Sequence, residues 1–276
     1  MRIKQKLKFW LFMVSLSIIA LIFITPMVWM LITSFKLEGR TITFPIQWIP
    51  RPFSLQSYRN LFERAPIIIR WLFNSLVTSS LTTLLVIVID APAAYALSRL
   101  RFAGRNFLFI FTLAGLMVPF QVIVIPLYLM INKLGLVNTY MGLILPRLAI
   151  PLGVFILRQF FMGIPVELEE AAILDGCSRF RVFYNIILPL SGPALSAVAI
   201  FTFIGTWNDF LWPLIIASRE KMFTLSVGLA SLQGTYQVKY AMLMAASVIA
   251  STPILIAFII FQKRIIQGVT MTGLKE

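Results

Sequence analysis

Long uncharged, apolar runs recur along this chain of 276 residues, and they limit its fold more than any other feature. The first run, residues 9–35, contains no Asp, Glu, Lys or Arg. A helix of about 20 apolar residues crosses a hydrocarbon core of about 30 Å. Only 12% of the residues are charged and 59% are hydrophobic, whereas ordinary soluble domains are roughly 25% charged. The sequence therefore predicts an all-α polytopic membrane protein.

The apolar runs predict six transmembrane helices, and the polar segments between them predict the loops. The predicted transmembrane helices lie at 9–35, 71–98, 106–131, 140–161, 191–217 and 240–262. The predicted external loops lie at 36–70 and 218–239, the predicted cytoplasmic loop at 162–190, and the predicted cytoplasmic ends at 1–8 and 263–276. Within the first external loop, the stretch "SLQSYRNLFERA" predicts a short helix.

The charge beside the first run predicts the orientation of the chain. Four of the first eight residues are basic, namely Arg2, Lys4, Lys6 and Lys8, and basic residues beside a span favour the cytoplasmic side. The run is too long for a signal peptide, whose apolar region is about 7–15 residues, so we expect a retained helix. The net charge of +14 lies in loops and helix flanks, which indicates topology signals and no nucleic-acid partner.

The sequence is poor in the side chains of catalysis. It has no histidine and a single cysteine, Cys177, so the commonest general base, the commonest metal ligand and an internal disulfide are excluded. It also has no GxxxxGK[ST] phosphate loop. We therefore expect no catalytic residue, no metal site and no bound cofactor in this chain, and no ATP hydrolysis by the chain alone.

One polar stretch interrupts the apolar pattern between the fourth and fifth predicted spans. Residues 165–190, "PVELEEAAILDGCSRFRVFYNIILPL", hold four of the ten acidic residues of the chain; we call them the EAA segment. Pro165 suits the first turn of a helix, and acidic residues stabilise a helix N-terminus. Gly176 favours a left-handed stop, and Ser178 favours the cap of a second helix, 179–187. The pattern predicts two short amphipathic helices joined at Gly176.

The acidic start of the EAA segment indicates what it contacts. A helix that lies on lipid is normally basic on its polar face, whereas this one begins with glutamates. Glutamates form strong charge-assisted hydrogen bonds with the arginines of a neighbouring protein. A protein partner is therefore favoured over a lipid surface.

The spacing within the EAA segment resembles a known family motif. Glu170-Ala171-Ala172, three residues, Gly176, nine residues, Ile186, one residue and Leu188-Pro189 match the "EAA" loop of permease subunits of binding-protein-dependent ABC importers. The flanking stretches "LPLSGPAL" and "IGTWNDFLWPLI" resemble the sugar-uptake branch, which includes the maltose-type permeases. The resemblance covers essentially the whole chain.

The resemblance implies the type I ABC importer permease fold, in a bacterial cytoplasmic (inner) membrane. It implies a second homologous permease, two cytoplasmic ATPase subunits that bind ATP and Mg, an extracytoplasmic solute-binding protein and a carbohydrate substrate. It also implies that the loop couples the ATPase to the pore and that "QGVTMTGLKE" resembles a tail inserted between the ATPase subunits. The residues that it assigns to ATPase coupling are Glu170, Ala171, Ala172, Asp175, Gly176, Ile186, Leu188 and Pro189.

A polar and aromatic group in the fifth predicted span is the candidate substrate path. We call Trp207, Asn208 and Asp209 the polar notch. Planar hydrogen-bonding groups and an aromatic face suit a sugar, but Trp207 also fits an interfacial aromatic belt and Asp209 also fits an ion pair with the partner permease. Gln121, between Pro119 and Pro126, marks a distorted third span whose polar groups could line a cavity.

Two further charges lie within the predicted spans. Charges there are costly and usually face a partner or a cavity. We expect Asp90 to pair within the helix bundle. Arg147 lies near the external end of the fourth span, and we expect it to extend to the outer surface.

Other classes of function are less well supported by the sequence. An ABC importer for an amino acid, peptide or ion fits the EAA motif, and the tryptophan-containing flank favours sugar over these. A self-sufficient secondary transporter or channel needs no acidic cytoplasmic loop, and its transport would survive removal of ATP. A membrane-embedded enzyme needs a nucleophile–base pair or a metal cluster, which a chain without histidine supplies poorly.

Overall fold

The computed structural model describes residues 2–148, 150–235 and 239–273, and these ranges contain helices and no β-strand. The described residues form two compact units, one within Met1–Ile68 and Leu229–Pro253 and the other within Ile69–Gly228 and Ile254–Glu276. The helices, in chain order, are α1 Arg2–Ser34, α2 Gln56–Arg64, α3 Ile68–Arg99, α4 Arg105–Ala114, α5 Phe120–Lys133, α6 Tyr140–Ile144, α7 Pro151–Gly163, α8 Glu167–Leu174, α9 Arg179–Val182, α10 Leu188–Leu190, α11 Gly192–Trp207, α12 Leu211–Ile216, α13 Leu225–Thr235 and α14 Tyr240–Gly273.

The described helices supply up to six membrane spans, in two forms. Three are single helices, at Lys8–Ser34, Ile68–Arg99 and Tyr240–Gln262. Three are pairs of helices bent at a short break, Arg105–Met117 with Phe120–Lys133 at 99°, Tyr140–Arg147 with Pro151–Gly163 at 48°, and Arg179–Leu190 with Gly192–Trp207 at 76°. The all-α, polytopic fold expected from the apolar runs is confirmed.

Proline interrupts the third and fourth spans, and the fourth span, predicted as one helix at 140–161, is divided into two. Pro119 precedes α5 in an extended conformation, which confirms the distortion expected around Gln121. Ile150 is also extended because it precedes Pro151, the first residue of α7, and a residue before proline disfavours the helical conformation.

Smaller differences concern where helices begin and end. The predicted fifth span is divided, since α11 ends at Trp207 and α12 begins at Leu211. Pro165 precedes α8 instead of lying in its first turn. α14 continues through residue 273 without a break, and residues 274–276 of the predicted tail lie outside the described residues. The short helix expected in the long loop is confirmed as α2.

The first unit is held together by contacts around the end of α1. Phe35 stacks on Phe53 at 4.7 Å between ring centroids, and Tyr58 on α2 forms a hydrogen bond with Ser34 at 2.9 Å. The Lys36 ammonium lies 4.1 Å from the centre of the Trp29 ring, and burial lowers the pKa of Lys36 below its usual value. Glu38 accepts a hydrogen bond from the Ala241 amide at the start of α14, where a helix favours negative charge.

The second unit has its larger apolar core where α3 and α7 end. Residues of α3, α7, α11 and the EAA segment form one cluster, with Leu157, Phe161, Val182 and Ile187 fully buried. Each large apolar side chain removed from water contributes roughly 1.5–3 kcal/mol where water is the alternative. The EAA segment is therefore part of the core and is not a free loop.

The other end of the second unit is fixed by hydrogen bonds to irregular backbone. Asn74 on α3 donates to the carbonyls of Lys221 and Phe223 at 2.9 and 2.8 Å and accepts from the Tyr140 hydroxyl at 2.6 Å. Asn138 accepts from the amides of Ser218 and Arg219 at 2.8 and 2.9 Å. These side chains provide hydrogen-bond partners for backbone carbonyls and amides that lie outside α-helices.

Between the two ends, α3 and α7 approach closely at Gly153. Asp90 on α3 is 3% exposed, and its Oδ2 atom has no hydrogen-bond partner among the described residues. The expected pairing of Asp90 within the bundle is therefore not observed there. A Cβ atom on Gly153 would overlap the Asp90 carboxylate and approach a Val198 methyl at 3.2 Å.

We predict that Gly153→Ala lowers the stability of the purified chain by about 1–3 kcal/mol, because the added methyl forces α3 and α7 apart. The measurement is thermal unfolding in detergent. Gly205→Ala is the matched control, since Gly205 lies within α11 and a Cβ there meets nothing within 4 Å; replacing a helical glycine should be neutral or stabilising. Equal midpoints for the two variants would contradict the close approach.

Candidate functional site

The EAA segment folds locally as its sequence predicts. α8 ends in a left-handed glycine, Gly176, with φ of 84°. The Gly176 amide donates to the Ile173 carbonyl at 3.0 Å and the Cys177 amide to the Ala172 carbonyl at 2.9 Å, which is the Schellman pattern of helix termination. Ser178 then caps α9 by accepting from the Arg181 amide at 3.3 Å. The predictions for Gly176 and Ser178 are confirmed.

The EAA segment has one face in the core and one face exposed. The predicted coupling residues divide between the two. Ala172 is buried and Ile186 and Leu188 are half-buried against the core, whereas Glu170, Ala171, Asp175, Gly176 and Pro189 are exposed. The exposed face also carries large apolar side chains that the motif does not include, Leu174 at 88% exposure, and Phe180 stacked on Tyr184 at 5.9 Å.

The buried face contains a glutamate, which sequence reasoning did not separate from its neighbours. Glu169 is 1% exposed. Its Oε1 atom lies 2.7 Å from the Arg99 Nε atom, and its Oε2 atom accepts from the Tyr95 hydroxyl at 3.2 Å. Arg179 Nη1 lies 4.0 Å from Oε2. The carboxylate therefore joins α8 to the end of α3 and to α9.

The polar notch is not a single open site, because its three side chains face different surroundings. Trp207 is 3% exposed and stacks on Phe203 at 5.8 Å. Asn208 is exposed, and so is Gln121 at the start of α5. Asp209 forms an ion pair with Arg147. Asp209 is therefore placed by a charged partner, whereas Asn208 and Gln121 are exposed.

The ion pair of Asp209 corrects the expectation for Arg147. The Arg147 side chain is 19% exposed, and its guanidinium lies 4.6 Å from the centre of the Phe120 ring. It does not extend to the surface, because a carboxylate and an aromatic face are both within reach. The Phe120 ring in turn meets Trp212 edge-on at 6.1 Å, and the Trp212 indole donates to the Gly142 carbonyl at 3.0 Å.

A cavity of about 210 Å³ lies beside this ion pair. Side chains of α3, α7 and α11 line it, together with Arg147. Its polar lining includes the Thr202 and Thr206 side chains on α11. Ligand pockets for small molecules usually reach about 300–1,000 Å³, so these residues form part of a larger site at most.

The fold and the EAA segment define a class, the transmembrane subunits of ABC importers. A model of the family "Binding-protein-dependent transport system inner membrane component" matches residues 91–271, and the chain belongs to this family. The chain is 38% identical to the arabinooligosaccharides transport system permease protein AraQ of Halalkalibacterium halodurans, over 96% of each chain. It is 37% identical to the trehalose/maltose transport system permease protein MalG of Thermococcus litoralis, over 99% of each chain.

A solved structure with the same fold extends the comparison. A chain of a bacterial ABC transporter involved in the import of the acidic polysaccharide alginate superimposes with a TM-score of 0.81. The superposition covers 94% of this chain and 97% of that chain, at 21% identity. The likeness shows the fold.

We predict that Asp209→Asn lowers the stability of the chain by on the order of 2 kcal/mol, because Arg147 then keeps a largely buried charge without its partner. A fully buried pair would cost about 3–5 kcal/mol, and partial exposure reduces this. Thermal unfolding in detergent gives the result, and Glu63→Gln is the matched control, since the Arg59–Glu63 pair is exposed and worth about 1 kcal/mol or less. The double variant Arg147→Gln/Asp209→Asn should regain part of the loss; a loss equal to the sum of the two single variants would contradict the pairing.

Proposed function

We propose that this chain is one of two transmembrane subunits of an ATP-driven importer for a carbohydrate in a bacterial cytoplasmic membrane. The observation that carries the proposal is the EAA segment, which presents an exposed face for a partner while its other face lies in the core. A second, homologous permease completes the pore, and a solute-binding protein outside the cell delivers the substrate.

The substrate class rests on the names of the relatives and on the residues of the polar notch. The relatives described above are named for arabinooligosaccharides and for trehalose and maltose, and another, 34% identical, is named for diacetylchitobiose uptake. The exposed Asn208 and the threonine side chains of the neighbouring cavity suit the hydroxyl groups of a sugar. We infer that Gln121, Trp207, Asn208 and Asp209 lie along the substrate path and that the partner permease supplies its other wall.

The exposed face of the EAA segment fits a cleft on an ATPase subunit. Leu174, Phe180 and Tyr184 offer apolar side chains to fill such a cleft, and Glu170 offers a carboxylate to an arginine on its surface. Two ATPase subunits in the cytoplasm bind ATP and Mg, and this chain binds neither. The ATPase activity belongs to those subunits.

The orientation follows from this arrangement and from the basic residues before the first span. We infer that the turn at 99–105, both ends of the chain and the EAA segment lie on the cytoplasmic side, with the Arg179–Leu190 arm of the EAA segment at the membrane surface before the bend into α11. The loops at 36–70 and 218–239 then face the binding protein. ATP binding closes the ATPase subunits and moves the EAA segment, which turns the pore outward; hydrolysis returns the pore to the inward state.

We predict that Gly176→Asp abolishes coupling without unfolding the chain. A side chain at φ of 84° costs about 1 kcal/mol, and a Cβ at Gly176 meets nothing within 4 Å inside the chain, so any larger effect comes from the partner surface. Glu170→Lys should act similarly through charge. The measurement is ATP hydrolysis by the reconstituted complex with its binding protein, loaded with the oligosaccharide that it retains, beside uptake of the same sugar.

Gly104→Asp is the matched control for this prediction. Gly104 has nearly the same backbone conformation, with φ of 82°, and equally open space, but it lies outside the EAA segment. It should keep the stimulation and the uptake of the parent complex. If Gly176→Asp and Glu170→Lys both keep the ATP hydrolysis and the sugar uptake of the parent complex, the EAA segment is not the coupling element. The substrate class has a separate test. A binding protein that retains amino acids or peptides but no oligosaccharide would contradict it.

A further inference from the structure

Two adjacent glutamates of the EAA segment have opposite surroundings. Glu170 is exposed, whereas Glu169 is 1% exposed. A glutamate that contacts a partner protein must be accessible to it. Glu170 meets this condition, whereas Glu169 does not. A buried carboxylate is retained only where charged or hydrogen-bonding groups compensate for the loss of water.

Those groups come from the last turn and a half of α3. Arg99, the final residue of α3, contacts Glu169 Oε1 through its Nε atom at 2.7 Å. Its Nη2 atom donates to the carbonyl of Phe161 at 2.6 Å and to the carbonyl of Ile164. These two carbonyls lie in the last turn of α7 and directly after it, so this one guanidinium joins the ends of α3 and α7 to the start of α8.

The opposite side of the Glu169 carboxylate is also occupied. The Tyr95 hydroxyl donates to Oε2 at 3.2 Å, and the Tyr95 ring packs on Phe183 with centroids 5.0 Å apart. Phe183 lies in the π-helical turn that follows α9. The two helices of the EAA segment and two spans therefore meet at one buried ion pair.

Apart from Glu169, the inward side chains of α8 are apolar. Ala172 is buried and Ile173 is half-buried against the core. Apolar contacts have little directional preference, whereas the Arg99 guanidinium contacts the Glu169 carboxylate and two carbonyls at once. The placement of α8 relative to α3 and α7 therefore depends strongly on the pair of Arg99 and Glu169.

We propose that Arg99 and Glu169 are positioning residues that transmit the movement of the EAA segment to α3 and α7, in a role separate from binding the ATPase. The inference rests on the proposed function. When the ATPase subunits move α8, the rigid pair requires the ends of both spans to follow; without it, α8 remains docked and moves by itself. Loss of the pair therefore uncouples the pore from the ATPase while the complex stays assembled.

The test uses the assembled complex, with the partner permease and ATPase subunits, in a Cys177→Ser background. Thr202, which lines the cavity, is replaced by cysteine as a reporter of pore opening. The rate of its labelling by a membrane-impermeant maleimide is compared without nucleotide and after trapping with ATP and vanadate. This readout requires no knowledge of the transported sugar.

We expect Glu169→Gln and Arg99→Lys each to reduce the nucleotide-dependent change in labelling by about tenfold. Lysine keeps the charge but cannot contact the carboxylate and two carbonyls together, so this milder variant tests the geometry if Glu169→Gln assembles poorly. Co-purification of the ATPase subunits and basal ATP hydrolysis should remain at the parent level. The double variant should lose no more than the worse single variant, because both remove one interaction.

The matched controls are Arg101→Lys, an exposed arginine two residues after Arg99, and Glu63→Gln, an exposed glutamate on α2. Both should show the full change in labelling. A full change in Glu169→Gln and Arg99→Lys, or loss of ATPase co-purification in both, would overturn the proposal. The proposed function is tested by the parent complex without any substitution at Arg99 or Glu169. If that complex does not co-purify with the ATPase subunits, or if its labelling does not respond to nucleotide, the proposed function is overturned.

Discussion

Inside hydrocarbon every backbone N–H and C=O group must find a partner within the protein, because no water is present to bind it. Continuous helices satisfy this requirement, and three of the spans found among the described residues are continuous. The other three break, and each break needs side chains to replace the lost helical bonds. Backbone outside the spans has the same need, and Asn74 and Asn138 form hydrogen bonds with loop backbone while Arg99 donates to the carbonyls at the end of α7. The same groups fix where the loops and the EAA segment lie.

Charge in the second unit follows the same rule. Glu169 is held by Arg99 and Tyr95, and Asp209 by Arg147. The Glu169 pair joins α3 to the EAA segment, and the Asp209 pair joins the fourth span to the segment after α11. The two pairs therefore stabilise the contacts between elements at opposite ends of the second unit. Asp90 differs, since its carboxylate lies against Gly153 with one oxygen unpaired among the described residues.

The sequence predicts the features that depend on neighbours along the chain. The φ of Gly176, the cap by Ser178 and the distortion at Pro119 follow from local rules, and the EAA spacing led to the family. The pairs formed by Arg99 and by Arg147 could not be predicted, because no spacing relates residues on different spans; Tyr95 and Glu169 are 74 residues apart. The three glutamates at the start of α8 indicated that this helix has charged partners. They did not indicate which of the three side chains is buried.

The exposed face of the EAA segment is the surface on which we propose that the ATPase docks. In a Cys177→Ser background, a single cysteine replaces Leu174, which is 88% exposed on that face, or Phe44, which is 92% exposed in the long loop. The assembled complex is treated with a short bifunctional maleimide, and the cross-linked subunits are identified by mass spectrometry. Capture of the ATPase subunit by Leu174→Cys and not by Phe44→Cys is the predicted result. Capture by Phe44→Cys alone would contradict the account and would reverse the orientation of the chain.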